Sequence, residues 1–425
     1  MKIIYADNKS EYEFLQCLRR RAAETDKIVI NKVTEIINRI KDEGDSALLE
    51  YSERFDGAKA IKRFTKKDFR KAYNNADEGF RKALEEAAKR ITAFHKKQVK
   101  KGYVIEQNGC MVGQIVKGLD RVGIYVPGGT AAYPSSVLMN TIPAKLAKVG
   151  KIVMVSPPPK NGKVNEDILT AAYIAGVDEL LLVGGAQAVA ALAYGTKSIE
   201  RVDKIVGPGN IYVATAKRLV YGVCDIDMVA GPSEIMIAAD ADANPAYIAA
   251  DLLSQAEHDT LASSILVTTS SDIAAATLKE LERQAALLPR MDIIQASLDN
   301  YGGIIVCDSL DKLIELINIT APEHLELLLD RPFECLDRVK NAGSVFLGAY
   351  SPEPLGDYFA GTNHVLPTGG TARFYSPLSV DSFIKKIQYV YYTQSELQKA
   401  GSEIICIAEK EGLQAHAAAI KARLK

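Results

Sequence analysis

The chain lacks paired cysteines, a long apolar run and an excess of either charge, and each absence removes a class of function. Its six cysteines (Cys17, Cys110, Cys224, Cys307, Cys335 and Cys406) stand far apart, with no Cys-x-x-Cys pair. That argues against a disulfide scaffold or a thiolate metal cage, and leaves reduced, mostly buried thiols. No run of about 18 uncharged apolar residues exists, so no transmembrane helix is expected. The opening MKIIYADNKSEYEF turns acidic too early for a signal peptide. With 52 basic against 53 acidic side chains the net charge is −1, which gives no electrostatic reason to bind nucleic acid or an anionic membrane. A cytoplasmic protein is the expectation. What is present, 48% hydrophobic and 25% charged residues over 425 positions, suits a soluble globular chain of two or more domains.

Residues 10–100 read as helical, because segments 11–24, 27–44 and 76–100 carry apolar residues at three-to-four spacing. From about 120 the pattern changes. Short β-branched runs alternate with helix-like stretches, the signal of βαβ units and a parallel sheet. The first series is VGIYV (122–126), KIVMVS (151–156), ELLLVG (179–184) and KIVG (204–207). The second is EIMIAA (234–239), SILVTT (264–269), GGIIVC (302–307) and GSVFLG (343–348). In both, the first two strands are offset by 30 residues, 122 to 152 and 234 to 264. Two similar open-sheet domains are expected, without a disordered linker. Gly- and Pro-rich loops (348–377) and helical stretches (about 380–398 and 402–424) close the chain.

Histidine is scarce, at five residues, so each context can be weighed. His95, in AFHKKQVKK, reads as a solvated side chain on a basic helix. In SQAEHD (254–259) the preceding helix places Ile248, Leu252, Gln255 and His258 on one face. A face ending in an amide and an imidazole is either a hydrogen-bonded buried pair or two ligands converging on a metal. In APEHLEL (321–327), Glu323 and His324 are either adjacent proton-transfer groups or the acidic start of a helix after Pro322. The long loop 351–380 carries Asp357 and His364, both capable of ligation or substrate contact. Glu411 and His416, in the C-terminal helical stretch, read alone as solvated surface.

Glycine-rich turns follow three of the strands: YVPGGT (125–130), VGGAQAV (183–189) and VGPGN (206–210). Such turns let a ligand approach the backbone at the carboxyl edge of a sheet. None is the Gly-x-Gly-x-x-Gly fingerprint, and the strand ending at Ser156 is followed by three prolines, with no ribose-binding acid.

Taken together, these segments resemble the histidinol dehydrogenase family, from about residue 20 to the C-terminus. The most specific are RVGIYVPGGTAAYPSSVLMNTIPAKLAKV, GPGN, AGPSE, LLSQAEHD, APEHLEL and PLGDYFAGTNHVLPTGGTARFYSPLSV. The resemblance implies an α/β fold of two incomplete Rossmann-like open-sheet domains with additional N- and C-terminal helical segments. The expected division is an N-terminal segment 1–20, a first domain of 21–121 with 234–377, a second of 122–233, and a tail 378–425 crossing to the other subunit of a homodimer. It further implies a zinc ion held by Gln255, His258, Asp357 and His416, with the imidazole and amino nitrogens of L-histidinol completing its shell. Ser233, His324, His364 and Glu411 would line the substrate pocket, and Tyr125, Gln187 and Asn210 would hold NAD. The implied reaction oxidises L-histidinol to L-histidine through bound histidinaldehyde, with His324 as base and Glu323 activating water. Two rivals share these residues: a zinc hydrolase using metal-bound water, and a two-domain binding protein without turnover.

Overall fold

The computed structural model describes residues 1–23, 27–128, 133–159 and 163–424. Strands β1 (Lys2–Tyr5), β2 (Lys62–Thr65), β3 (Tyr103–Gln107), β4 (Cys110–Gly118) and β5 (Arg121–Tyr125) come first. The first series continues with β6 (Lys151–Ser156), β7 (Glu179–Leu182), β8 (Lys204–Val206) and β9 (Asp225–Ile226). The second comprises β10 (Glu234–Ala239), β11 (Ser263–Thr268), β12 (Gly303–Val306), β13 (His324–Leu328) and β14 (Ser344–Leu347), and β15 (Ile384–Tyr391) is last.

Two six-stranded sheets result. One runs β2-β7-β6-β5-β8-β9, parallel except for β2 against β7. The other runs β1-β12-β11-β10-β13-β14 and is parallel throughout. Within each, the strands of its βαβ series lie in the order third, second, first, fourth, fifth. The winding therefore reverses between β5 and β8, and again between β10 and β13, the two topological switch points.

Helices cover both faces of the second sheet, which is why its strands read as unbroken apolar runs rather than alternating ones. Ile235, Ile237 and Ala239 face a core shared with Ile248, Leu252 and Leu281. Met236 and Ala238 face the other way, onto Leu15, Leu313 and Ile317.

The expected grouping of 21–121 with 234–377 departs from the packing. Helices Lys27–Glu43 and Asp45–Asp56 share their core with Val153, Leu181 and Ala190 of the first sheet's layer. Their apolar stripes are legible in the sequence, but a stripe does not say which sheet it covers. The N-terminal residues Lys2–Tyr5 are likewise a strand, the edge of the second sheet. No helix among the described residues is long and apolar enough to cross a membrane.

A second compact unit comprises Val99–Gly118 and Ile384–Lys425. It holds the antiparallel sheet β15-β4-β3 and the mutually packed helices Gln394–Lys410 and Gln414–Lys421. The helix expected over 380–398 begins only at Gln394. Val380–Phe383 is a single 3-10 turn, and Ile384–Tyr391 pairs along its whole length with Met111–Gly118. IKKIQYVY is rich in β-branched and aromatic residues, and a waiting antiparallel partner decides such a segment in favour of strand.

Candidate active site

Because β10, β13 and β14 are parallel, they begin at one edge of their sheet. The helix Pro245–Ala256, returning from the far end of β10, brings its C-terminus to that same edge before β11. Ser233, Glu234, Gln255, His258, Glu323 and His324 gather there as a consequence. APEHLEL is not a helix start. The helix Leu310–Thr320 ends at Ala321 in a left-handed conformation (φ 52°), Pro322 cannot continue it, and His324 opens β13 opposite Ile235 and Ser344.

Glu323 and His324 are both buried. Glu323 accepts a hydrogen bond from the Glu234 amide at 2.8 Å, yet burial pushes its carboxyl up to about 8. His324 donates through Nδ1 to the Glu234 carbonyl at 3.0 Å, which leaves Nε2 buried and, among the described residues, without a hydrogen-bond partner. Around Nε2 stand Asp357 at 3.7 Å and Glu353 at 3.9 Å, and Glu323 lies 3.7 Å from Nδ1. Burial alone would lower the imidazole pKa, but these carboxylates outweigh it and carry it up to about 10. Asp357 shows the reverse balance. Burial raises its carboxyl, while His324 and His364 overcome that and hold it at about 2. Glu353, buried beside Asp357, is pushed up to about 8.

His364 donates from Nδ1 to the Asp357 carbonyl at 3.2 Å, and its Nε2 lies 3.4 Å from the Ser136 hydroxyl. Ser136 belongs to the helix Pro134–Leu146 that follows β5. The amino edge of the second sheet thus meets the carboxyl edge of the first. Gln255 is fully buried, its Nε2 lies 3.1 Å from His258 Nδ1, and its Oε1 has no partner among the described residues. Ile248, Leu252 and Gln255 do share a buried face, whereas His258 lies two residues past the helix end and is exposed. Among the described residues, His324, Glu353 and Asp357 offer ligand atoms within 4.8 Å of one another. That group shares only Asp357 with the expected zinc set. The unsatisfied, buried Gln255 Oε1, on a side chain that touches His258, which in turn feels the charge of Asp357, is the donor chemistry a divalent cation takes.

The glycine-rich turns lie at the carboxyl edge of the first sheet, as expected, although residues 129–130 of YVPGGT fall outside the described residues. Tyr125 ends β5, and its hydroxyl accepts from the Gly185 amide at 3.0 Å, Gly185 having φ 67°. Gln187 is buried at the start of the next helix. Asn210 caps the helix Ile211–Val220, accepting from the Tyr212 and Val213 amides. Before it, Gly207 (φ 107°) packs so closely on the Tyr125 carbonyl that a Cβ could not fit. A buried ion pair fixes this turn: Lys217 Nζ donates to the Gly207 carbonyl at 2.9 Å and contacts Asp227, which accepts from the Gly207 amide at 2.7 Å.

Ser233 is half-buried and immediately precedes Glu234; Glu411 and His416 are exposed in the second unit. Sequence reasoning passed over Glu234, Glu326 and Glu353, because an acid inside a strand or before a proline carries no motif. It also misplaced His95, which is buried rather than solvated. His95 donates to Gln98 at 2.7 Å, and its Nε2 accepts from Asn363, next to His364, at 3.3 Å. A signal existed: Leu84, Ala88, Ile91 and His95 recur at spacings of four, three and four, and all are buried.

A buried imidazole ringed by carboxylates, set where two open sheets meet, defines an α/β enzyme with an acid–base site. The family model for histidinol dehydrogenase matches residues 18–424, and this chain belongs to the histidinol dehydrogenase family. A histidinol dehydrogenase of Clostridium acetobutylicum is 53% identical, covering 100% of this chain and 99% of its own. One of Bacillus cereus is 51% identical over the same shares. The crystal structure of histidinol dehydrogenase from Elizabethkingia anophelis superposes with a TM-score of 0.93 at 40% identity, covering 100% of this chain and 98% of that one.

Proposed function

We propose that this protein oxidises L-histidinol to L-histidine in two hydride transfers to NAD, the last steps of histidine biosynthesis. Family membership over residues 18–424 supports the substrate and acceptor. The observation that carries the chemistry is His324, whose Nδ1 is committed to a carbonyl while Nε2 is left open among carboxylates. That arrangement fixes the tautomer, so a neutral His324 presents Nε2 as the base.

In the first step Nε2 of His324 takes the hydroxyl proton as hydride leaves the adjacent carbon for the nicotinamide. An ionised Glu323, adjacent in the chain and buried, then takes a proton from a water whose oxygen adds to the aldehyde carbon, while His324 returns its proton to the carbonyl oxygen and is free to act as base again. The hydrate loses its hydroxyl proton to His324 and its hydride to a second NAD, giving the acid. Gln255, His258 and Asp357, with His416 supplied by a second copy of the chain, would hold a zinc ion. When bound, zinc would anchor the imidazole and amino nitrogens of the substrate. Engaging Asp357 as a ligand withdraws its charge from His324, lowering the imidazole pKa toward the range where a base is useful. Ser233 and His364 would line the substrate pocket, with Glu411 supplied like His416 by a second copy of the chain, and Tyr125, Gln187 and Asn210 the cofactor edge.

The test is a product balance with purified protein, L-histidinol and excess NAD. Two NADH and one histidine per histidinol are expected. One NADH with free aldehyde accumulating refutes the two-step reading.

A further inference from the structure

The strand where a dinucleotide fold usually carries its ribose-binding acid is followed here by prolines, but the fold delivers a carboxylate to the same edge from elsewhere. Asp56 ends the helix Asp45–Asp56. The chain then enters β2 with Lys62 opposite Leu182, the last residue of β7, so Asp56 stands at the carboxyl edge of the first sheet. It is half-buried, and among the described residues its one hydrogen bond is a long 3.5 Å contact from Gln187 Nε2. Burial raises its carboxyl above the ordinary 3.8. Glu179, on the same sheet, shows what a structural acid looks like here: buried, and matched by Arg63, Arg121 and Lys151. Among the described residues Asp56 has no donor to match its desolvation, the condition of a group whose partner arrives with a ligand. Beside it Phe55 stacks on Tyr51, with ring centroids 5.6 Å apart, yet remains 53% exposed.

The position also fits one particular end of the cofactor. Ser136, following β5, touches His364 of the substrate site, so the nicotinamide belongs near β5. Asp56 and Gln187 lie at β7, two strands further along the edge, roughly 10 Å away at the usual strand spacing. An extended dinucleotide would place its adenosine half there.

We propose that Asp56 accepts the hydroxyl groups of the adenosine ribose and thereby selects NAD over its 2′-phosphorylated form, NADP. The inference rests on the reading that NAD binds at this edge. A carboxylate rewards the 2′-hydroxyl with a charge-assisted hydrogen bond and repels a phosphate dianion in its place.

The experiment compares wild type with Asp56→Asn, and with Asp56→Ser, which offers no amide donor. Kd values for NADH and NADPH are measured by calorimetry, and kcat/KM for NAD and NADP at saturating histidinol. The preference for NAD should fall roughly ten- to a hundredfold in both measurements, through Kd and KM. The kcat with saturating NAD and the KM for histidinol should stay as in wild type. Equal weakening toward both cofactors, with the preference intact, shows a structural role and overturns the proposal. A wild type that binds neither NADH nor NADPH removes the underlying reading and the proposal with it.

Discussion

Replacing Lys217 tests how the cofactor edge is held, because its ammonium is the only cation buried in the turn it serves among the described residues. Lys217 and Asp227 are 2% and 1% exposed as side chains, in mutual contact. In Lys217→Met the aliphatic stem is replaced almost atom for atom, so packing survives. Asp227 keeps the Gly207 and Met228 amides, each at 2.7 Å, but loses its countercharge, and the Gly207 carbonyl loses its donor. Stranding one member of a buried pair costs about 3–5 kcal/mol. Asp227→Asn alone strands the ammonium and should cost a similar amount. The double variant has no buried charge, and the Asn carbonyl can still accept from Gly207. It should therefore lose only about 1–3 kcal/mol, the value of a few weakened hydrogen bonds. Urea unfolding followed by circular dichroism measures all three, and the single variants should also raise the KM for NAD more than they lower kcat. Additive losses, with the double variant worse than either single one, would refute the argument that charge burial dominates this turn.

Four further outcomes are expected. His95→Leu fills the same space but leaves Asn363 without its imidazole acceptor, so kcat/KM for histidinol should fall about tenfold at a stability cost of about 1–2 kcal/mol; stability loss with unchanged kinetics would show that His95 does not position the His364 loop. At Glu179 burial raises the carboxyl pKa, but Lys151, Arg63 and Arg121 outweigh it and hold it below the ordinary 4.5. Its contribution is thus fully present above pH 4.5 and lost as pH falls through the lower folded value, so Glu179→Gln should flatten the acid limb of the stability curve, and an unaltered limb counts against the cluster. Gln255→Ala should reduce the zinc retained on purification, read by elemental analysis; full retention removes Gln255 from the ligand set. Mixing inactive His416→Ala and Asp357→Ala chains should restore about a quarter of wild-type activity if the two residues meet across a dimer, whereas activity near zero with mixed dimers present means that they serve the same chain's site.

Both strand series, their βαβ alternation and the edge carrying the glycine turns were legible, because a strand buried on both faces announces itself as a short apolar run between helices. Partnership was not. Nothing in KRFT (62–65) or IKKIQYVY (384–391) says that β7 and β4 lie beside them, and strands at sheet edges take their identity from neighbours remote in sequence. The site was read unevenly for a related reason. Gln255 announces its burial through the face it shares with Ile248 and Leu252, while Glu353 becomes notable only when folding brings it within 3.9 Å of His324. APEHLEL misled because Pro followed by an acid is a good local helix start, and the ladder with Ile235 outweighs that preference.

The two sheets share one strand order, yet the site draws on opposite edges of them, and electrostatics gives the reason. At the carboxyl edge of a parallel sheet the following helices present their N-termini, whose free amides favour anions. The helices Gly185–Tyr194 and Ile211–Val220 begin there, an edge suited to a dinucleotide with its pyrophosphate. At the amino edge helices end, and their free carbonyls favour cations. Pro245–Ala256 and Leu310–Thr320 end at that edge of the second sheet, which is already crowded by Glu234, Glu323, Glu353 and Asp357. A divalent ion would be drawn to the edge that a dinucleotide would avoid, and an amino alcohol that gives its neutral nitrogens to that ion would follow it there. Placing the amino edge of one sheet against the carboxyl edge of the other sets a cation-favouring surface against an anion-favouring one. A metal-held alcohol and an anionic acceptor could then sit face to face, each on the surface whose charge suits it, with His324 between the carboxylates on the metal's side.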